Sequence, residues 1–89
     1  MSDLDERFER MQQDAKSVSG RPSNDALREI YGLYKQATIG DADASGARRP
    51  GRLDVIGRAK YDAWAAQKGI PNAEAKERYI ALIERLLSR

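Results

Sequence analysis

The sequence predicts an all-α fold, a small four-helix bundle, on three observations. Apolar residues recur at steps of three and four along four separate stretches, no stretch shows the apolar/polar alternation of a half-buried strand, and glycine or proline separates the stretches. Eighty-nine residues make one domain, 1–89, because a second core would have too little chain behind it.

The first stretch sets Leu4, Phe8, Met11, Ala15 and Val18 on one stripe, a helix over 4–18. Asp3 is its expected cap, Asp5 and Glu6 suit the positive end of its dipole, and Gly20-Arg21-Pro22 stops it. The second helix, 24–39, starts at Ser23 or Asn24 and carries Leu27, Ile30 and Tyr34 along one line, with Ala37 and Thr38 following before Gly40. Tyr31 and Lys35 lie four apart on an adjoining line, so both can face one space.

Asp41 to Arg52 holds no large apolar residue and reads as a loop of about a dozen residues. A third helix follows over 55–68, with Ile56, Ala59, Ala63 and Ala66 as its inward face and Trp64 as its bulky anchor. Gly69-Ile70-Pro71-Asn72 closes it and supplies Asn72 as the expected cap of the last helix, 73–87. That helix turns Ala75, Tyr79, Leu82, Ile83, Leu86 and Leu87 inward and Lys76, Glu77, Glu84 and Arg85 outward.

Composition removes whole classes of chemistry. With no Cys there is no disulfide, no thiolate nucleophile and no Cys-based metal site, and with no His the usual general base and the commonest transition-metal ligand are missing. The carboxylates near helix starts read as dipole partners, so no enzyme activity, metal or cofactor is expected and the default class is a binding module. Sixteen Lys+Arg against 14 Asp+Glu is too even to advertise a nucleic-acid binder. No apolar run is long enough to span a bilayer, and Met1-Ser2-Asp3-Leu4-Asp5-Glu6 is acidic where a secretory signal would be basic. A cytoplasmic protein without stable membrane insertion is the expectation.

Function is expected where aromatics and cations coincide: Tyr31, Tyr34 and Lys35 on the second helix, Lys60 and Tyr61 on the third, Tyr79 on the fourth. Four tyrosines against one phenylalanine suit amphipathic surfaces, since a buried tyrosine must still satisfy its hydroxyl. Tyrosine faces can stack a planar base and lysines can meet phosphates. The plainer reading makes these tyrosines a core lining with hydroxyls at the rim. A competing site is the loop cluster Arg48, Arg49 and Arg52, which would bind an acidic partner or nucleic acid.

Two ordered blocks carry a resemblance. Tyr31-Gly32-Leu33-Tyr34-Lys35-Gln36-Ala37-Thr38-Ile39-Gly40-Asp41 resembles the Tyr-x-x-Tyr-Lys-Gln-Ala-Thr-x-Gly-Asp run of the acyl-CoA-binding protein family. Arg49-Pro50-Gly51 followed by Gly57-Arg58-Ala59-Lys60-Tyr61-Asp62-Ala63-Trp64 is similar to that family's second signature. The resemblance implies an up-down-down-up bundle with a bowl-shaped site and a non-catalytic carrier of medium- to long-chain fatty acyl-CoA, acting as a monomer beside acyl-CoA-using enzymes. It implies that Tyr31, Lys35, Lys60 and Tyr79 surround the adenine and the ribose 3′-phosphate, that Tyr34 lines the site, and that Lys16 approaches the phosphates. Three departures stand out: Tyr61 in place of the usual tryptophan, a longer 41–49 loop, and Arg52 at a frequently apolar position. They bear on affinity and chain-length preference more than on ligand class.

Overall fold

A computed structural model describes residues 2–18, 20 and 22–88. Met1 and Arg21, which entered the reading of the amino terminus and of the first stop, lie outside them. The helices are α1 (Asp3–Asp14), α2 (Asn24–Thr38), α3 (Val55–Ala65) and α4 (Asn72–Leu87), with a 3₁₀ turn over Ala15–Ser17. Among the described residues there is no strand, and no helix is long and apolar enough to cross a membrane.

Local chemistry explains most helix ends and corrects several expected ones. Ser2, not Asp3, caps α1: its Oγ accepts the Asp5 N–H at 3.2 Å, which frees Asp3 to join the acidic first turn. Instead of continuing to 18, α1 tightens after Asp14, and Val18 is already extended, so the chain leaves the helix while Val18 still packs on the core. Ser23 caps α2 through the Ala26 N–H at 3.1 Å, and Asp54 caps α3 through the Gly57 N–H at 2.9 Å. The expected last turn of α3 is wound on i→i+3 bonds, Gln67 to Trp64 and Lys68 to Ala65, and closes at Gly69 with φ +88°. Asn72 does not cap α4. Pro71 holds the cap position, and the Asn72 amide donates to the Ala37 carbonyl at 3.1 Å, tying the start of α4 to the end of α2.

Cross-helix pairs give the directions. Asp5 meets Lys76 and Phe8 meets Tyr79, so α1 and α4 are parallel; Ala37 meets Asn72 and Tyr34 meets Tyr79, so α2 runs against α4. Tyr31 meets Lys60 and Lys35 meets Trp64, so α3 runs parallel to α2. The topology is up-down-down-up. The helices pack as a row, α3 on α2, α2 on α4, α4 on α1, and the Cα trace is correspondingly flat at 36 × 31 × 16 Å.

A parallel α3 requires the chain to travel back along the bundle, and the segment from Ile39 to Asp54 does this as a strap beside α3. Lys68 donates to Asp43 at 2.6 Å, and Arg49 makes a two-pronged pair with Asp62 at 2.9 Å on each prong. Rising strap numbers meet falling α3 numbers, so strap and helix are antiparallel. At the strap's start Gln36, 1% exposed, donates through Nε2 to Asp41 at 2.8 Å and to the Ile70 carbonyl at 2.9 Å, while Asp41 also accepts the Gly69 N–H at 2.9 Å. This junction joins α2, the strap and the α3–α4 turn.

The core lies among α1, α2 and α4: Phe8, Leu33, Ala37, Ala75, Tyr79, Ile80, Leu82, Ile83 and Leu86. Several expected faces shift. On α2 the buried positions are Gly32, Leu33, Gln36 and Ala37, while Leu27, Tyr34 and Thr38 are exposed. Ala37 is buried and Ile30 packs against the core as expected, but a helix between two neighbours has two inner faces, and the second of them takes Gly32, Leu33 and Gln36 inward in place of Leu27, Tyr34 and Thr38. At Gly32 an added Cβ would run into the Ala63 carbonyl oxygen, so the α2–α3 crossing leaves no room for a side chain. On α3 only Trp64 is buried, and Ile56 and Ala66 are exposed. On α4 Ile80 is buried and Leu87 is exposed, and Lys76 folds inward over the Phe8 ring at 5.7 Å to meet Asp5.

The Gly69 N–H and the Gln36 amide hold the Asp41 carboxyl below its ordinary 3.8. Lys76 does the same for Asp5, and Arg49 for Asp62. A carboxylate with a lowered folded-state pKa adds stability that is present above its unfolded value and is lost as pH falls through the folded one. Urea midpoints are therefore expected to stay flat above roughly pH 5 and to fall below roughly pH 4. Asp41→Asn should flatten that acid slope; an unchanged slope would show that the junction carboxylate does not drive it.

Candidate ligand-binding site

The α2–α3 seam opens into a cleft of about 440 Å³, walled by Leu27 and Tyr31 from α2 and by Val55, Ile56, Ala59 and Lys60 from α3. Val55 and Ile56 are each 72% exposed, an apolar wall left facing water. Parallel helices bring equivalent turns side by side, so cations and rings pair in sequence along the seam. Lys60 Nζ lies 5.6 Å from the Tyr31 ring centroid, and one turn further Lys35 Nζ lies 4.9 Å from that of Trp64.

Trp64 is buried and anchors this row. Its indole N–H donates to the Gly40 carbonyl at 2.6 Å, which locks the ring between the end of α2 and the strap. Tyr61 packs against it edge-on at 6.3 Å, so the unusual tyrosine retains an aromatic contact at this corner.

On the α4 side of α2 a second aromatic group forms. Tyr34 stacks on Phe8 at 6.2 Å and lies 6.4 Å from Tyr79, which meets Phe8 edge-on at 5.1 Å. Tyr79 is buried, and that burial, with Tyr34 alongside, pushes its phenol above the ordinary 10.0, so it remains a neutral donor throughout the physiological range.

Five of the six expected residues thus enter two adjoining groups: Tyr31, Lys35 and Lys60 on the seam, Tyr34 and Tyr79 beside it. Lys16 reaches only one turn back along its own segment, to Gln13 Oε1 at 3.5 Å. Sequence reasoning missed Phe8 as a ring partner, the Lys35–Trp64 contact and the exposed apolar wall. For the wall there was a signal: Val55 and Ile56 are adjacent on a helix and cannot both face one neighbour.

The centre of the arginine loop takes another role. Its central cation, Arg49, is held by Asp62, which raises the guanidinium pKa and lowers that of the carboxyl, so it staples the strap to α3. Such a pair gives no support to a site for nucleic acid or an acidic partner.

A flat helical bundle with a water-facing apolar cleft and a row of ring–cation pairs along its seam defines a ligand-binding bundle. The particular family follows from comparison with known proteins. Residues 5–83 match the family described as "Acyl CoA binding protein". An acyl-CoA-binding protein homolog of Manduca sexta is 41% identical over 96% of this chain and 92% of its own length, and the acyl-CoA-binding protein of Dictyostelium discoideum is 44% identical over 92% and 94%. The crystal structure of Oryza sativa Acyl-CoA-Binding Protein 2 superposes with a TM-score of 0.89 at 39% identity, covering 96% of this chain and 91% of that one. The chain belongs to the acyl-CoA-binding protein family.

Proposed function

We propose that residues 1–89 form one acyl-CoA-binding domain, a non-catalytic carrier that pools medium- to long-chain fatty acyl-CoA esters and passes them to the enzymes that use them. It acts as a monomer in the cytoplasm and requires no cofactor. One observation carries the reading: the Tyr31–Lys60 pair stands beside an exposed apolar wall, a polar clamp and a greasy cleft within one cavity.

Acyl-CoA has the matching halves. Tyr31 offers a face to the adenine, Lys35 and Lys60 meet the 3′-phosphate, and Tyr34 and Tyr79 back the adenine side. Lys16 approaches the remaining phosphates by swinging away from Gln13. The two seam ammonium groups rest on rings; a phosphate exchanges that contact for charge-assisted hydrogen bonds, each worth about 1.5–3 kcal/mol. The acyl chain adds about 0.8 kcal/mol for each buried methylene until the cleft is filled.

Titration calorimetry with palmitoyl-CoA, free CoA and free palmitate tests the reading. The thioester is expected to bind far more tightly than either half, with affinity rising along an acyl series and then levelling. Absence of thioester binding at micromolar concentration overturns it.

A further inference from the structure

Beside the cleft, the segment from Arg48 to Lys60 combines exposure with an excess of positive charge. Leu53 is 97% exposed and lies outside the cleft wall, next to the 72% exposed Val55 and Ile56. Five cations, Arg48, Arg49, Arg52, Arg58 and Lys60, stand against one carboxylate, Asp54, which is engaged in capping α3. Among the described residues, ion pairs engage Arg49 but none of the other four. Because α3 packs on α2 alone, this segment forms one outer edge of the helix row. The opposite edge, α1, carries Asp3, Asp5, Glu6, Glu9 and Asp14 against Arg7 and Arg10. The net charge of +2 therefore hides a polarised molecule, basic at the cleft edge and acidic at the far one.

We infer that the α3 edge docks on an anionic lipid bilayer, with Leu53 and the Val55–Ile56 pair entering the headgroup boundary while Arg48, Arg52 and Arg58 meet lipid phosphates. Charge complementarity selects this occupant. A second copy in two-fold contact would set two basic edges face to face, and a copy in head-to-tail contact would put the exposed Glu6, Glu9, Arg10 and Gln13 of α1 against three aliphatic side chains. A nucleic-acid backbone would use the arginines but not those side chains. The acidic far edge is repelled and orients the slab. Val55 and Ile56 belong to both the docking edge and the cleft wall, so a docked molecule opens its cleft toward the lipid. An acyl chain could then pass between bilayer and cleft without crossing water, a consequence that rests on the carrier reading, whereas docking itself does not.

Co-sedimentation of the ligand-free protein at low salt, with vesicles of phosphatidylcholine alone or with about a third phosphatidylserine, tests docking separately from the carrier reading. Binding to the anionic vesicles only is expected, with release by added salt. Leu53→Asp should reduce partitioning at least about tenfold and Arg52→Ser about fivefold, while melting temperature and vesicle-free palmitoyl-CoA affinity stay at parent values. No binding to anionic vesicles overturns the inference, as does unchanged binding by Leu53→Asp. Duplex DNA that Leu53→Asp binds as tightly as the parent, and that displaces the parent from vesicles, would also overturn it.

Discussion

Lys60→Met and Lys35→Met are each expected to weaken palmitoyl-CoA binding by about ten- to a hundredfold in calorimetric titration, with little change in melting temperature for Lys60→Met. The magnitude is that of one charge-assisted hydrogen bond to a phosphate in a partly shielded site, about 1.5–3 kcal/mol. Methionine keeps an apolar stem of similar length, so the packing of that stem along the seam survives while the charge is removed. What the folded chain loses is a ring contact in each case, about 0.5–1 kcal/mol for the exposed Lys60 on Tyr31 and up to about 2 kcal/mol for the half-buried Lys35 on the buried Trp64. Binding should therefore fall further than stability does, most clearly in Lys60→Met. If affinity and melting temperature fall together, the lysines hold the helices together instead of binding the ligand. Trp64 is the single tryptophan, so withdrawal of Lys35 from its ring on ligand binding should also shift the emission of the parent.

Trp64→Ala is expected to cost about 3–5 kcal/mol, a large share of the total stability of so small a domain. The side chain is the one buried residue of α3, and its indole bond to Gly40 is the direct link from that helix to the start of the strap. Removing it leaves α3 attached through the close Gly32–Ala63 crossing and the surface pairs of Arg49 and Lys68. Trp64→Phe separates the contributions: it retains much of the ring and forfeits the hydrogen bond, worth about 0.5–1.5 kcal/mol. Urea unfolding of both variants decides the matter, and an alanine variant as stable as the parent would show that α3 does not depend on this anchor.

The family signature in the sequence is two kinds of residue interleaved. In the run from Tyr31 to Asp41, Tyr31, Tyr34 and Lys35 face the two ring groups, whereas Gln36 and Asp41 build the buried junction and Gly40 receives the indole. In the second block Lys60 faces the cleft while Asp62 and Trp64 secure the strap. Both kinds are legible as a motif, yet only contacts separate them, because a residue type does not reveal whether its partner is a ligand or another part of the chain. Asn72 shows the same limit. Its type and position suit a helix cap, but a carbonyl on α2 comes within reach of its amide, and Pro71 takes the cap position.

Four helices, roughly where each begins and stops, and the lack of thiol and imidazole side chains are legible from the order of residues alone. Periodicity, caps and breakers act within a few residues, so they survive in one dimension. Which face of α2 is core and which is cleft, the exposure of Leu27, Val55 and Ile56, and which cation meets which ring emerge only when the helices pack. Those outcomes depend on α3 lying parallel to α2 with Gly32 at the crossing and a strap returning the chain between them. A helix with neighbours on two sides has two buried stripes and a seam between them, and the direction of the neighbour, which no local pattern encodes, sets what the seam brings together.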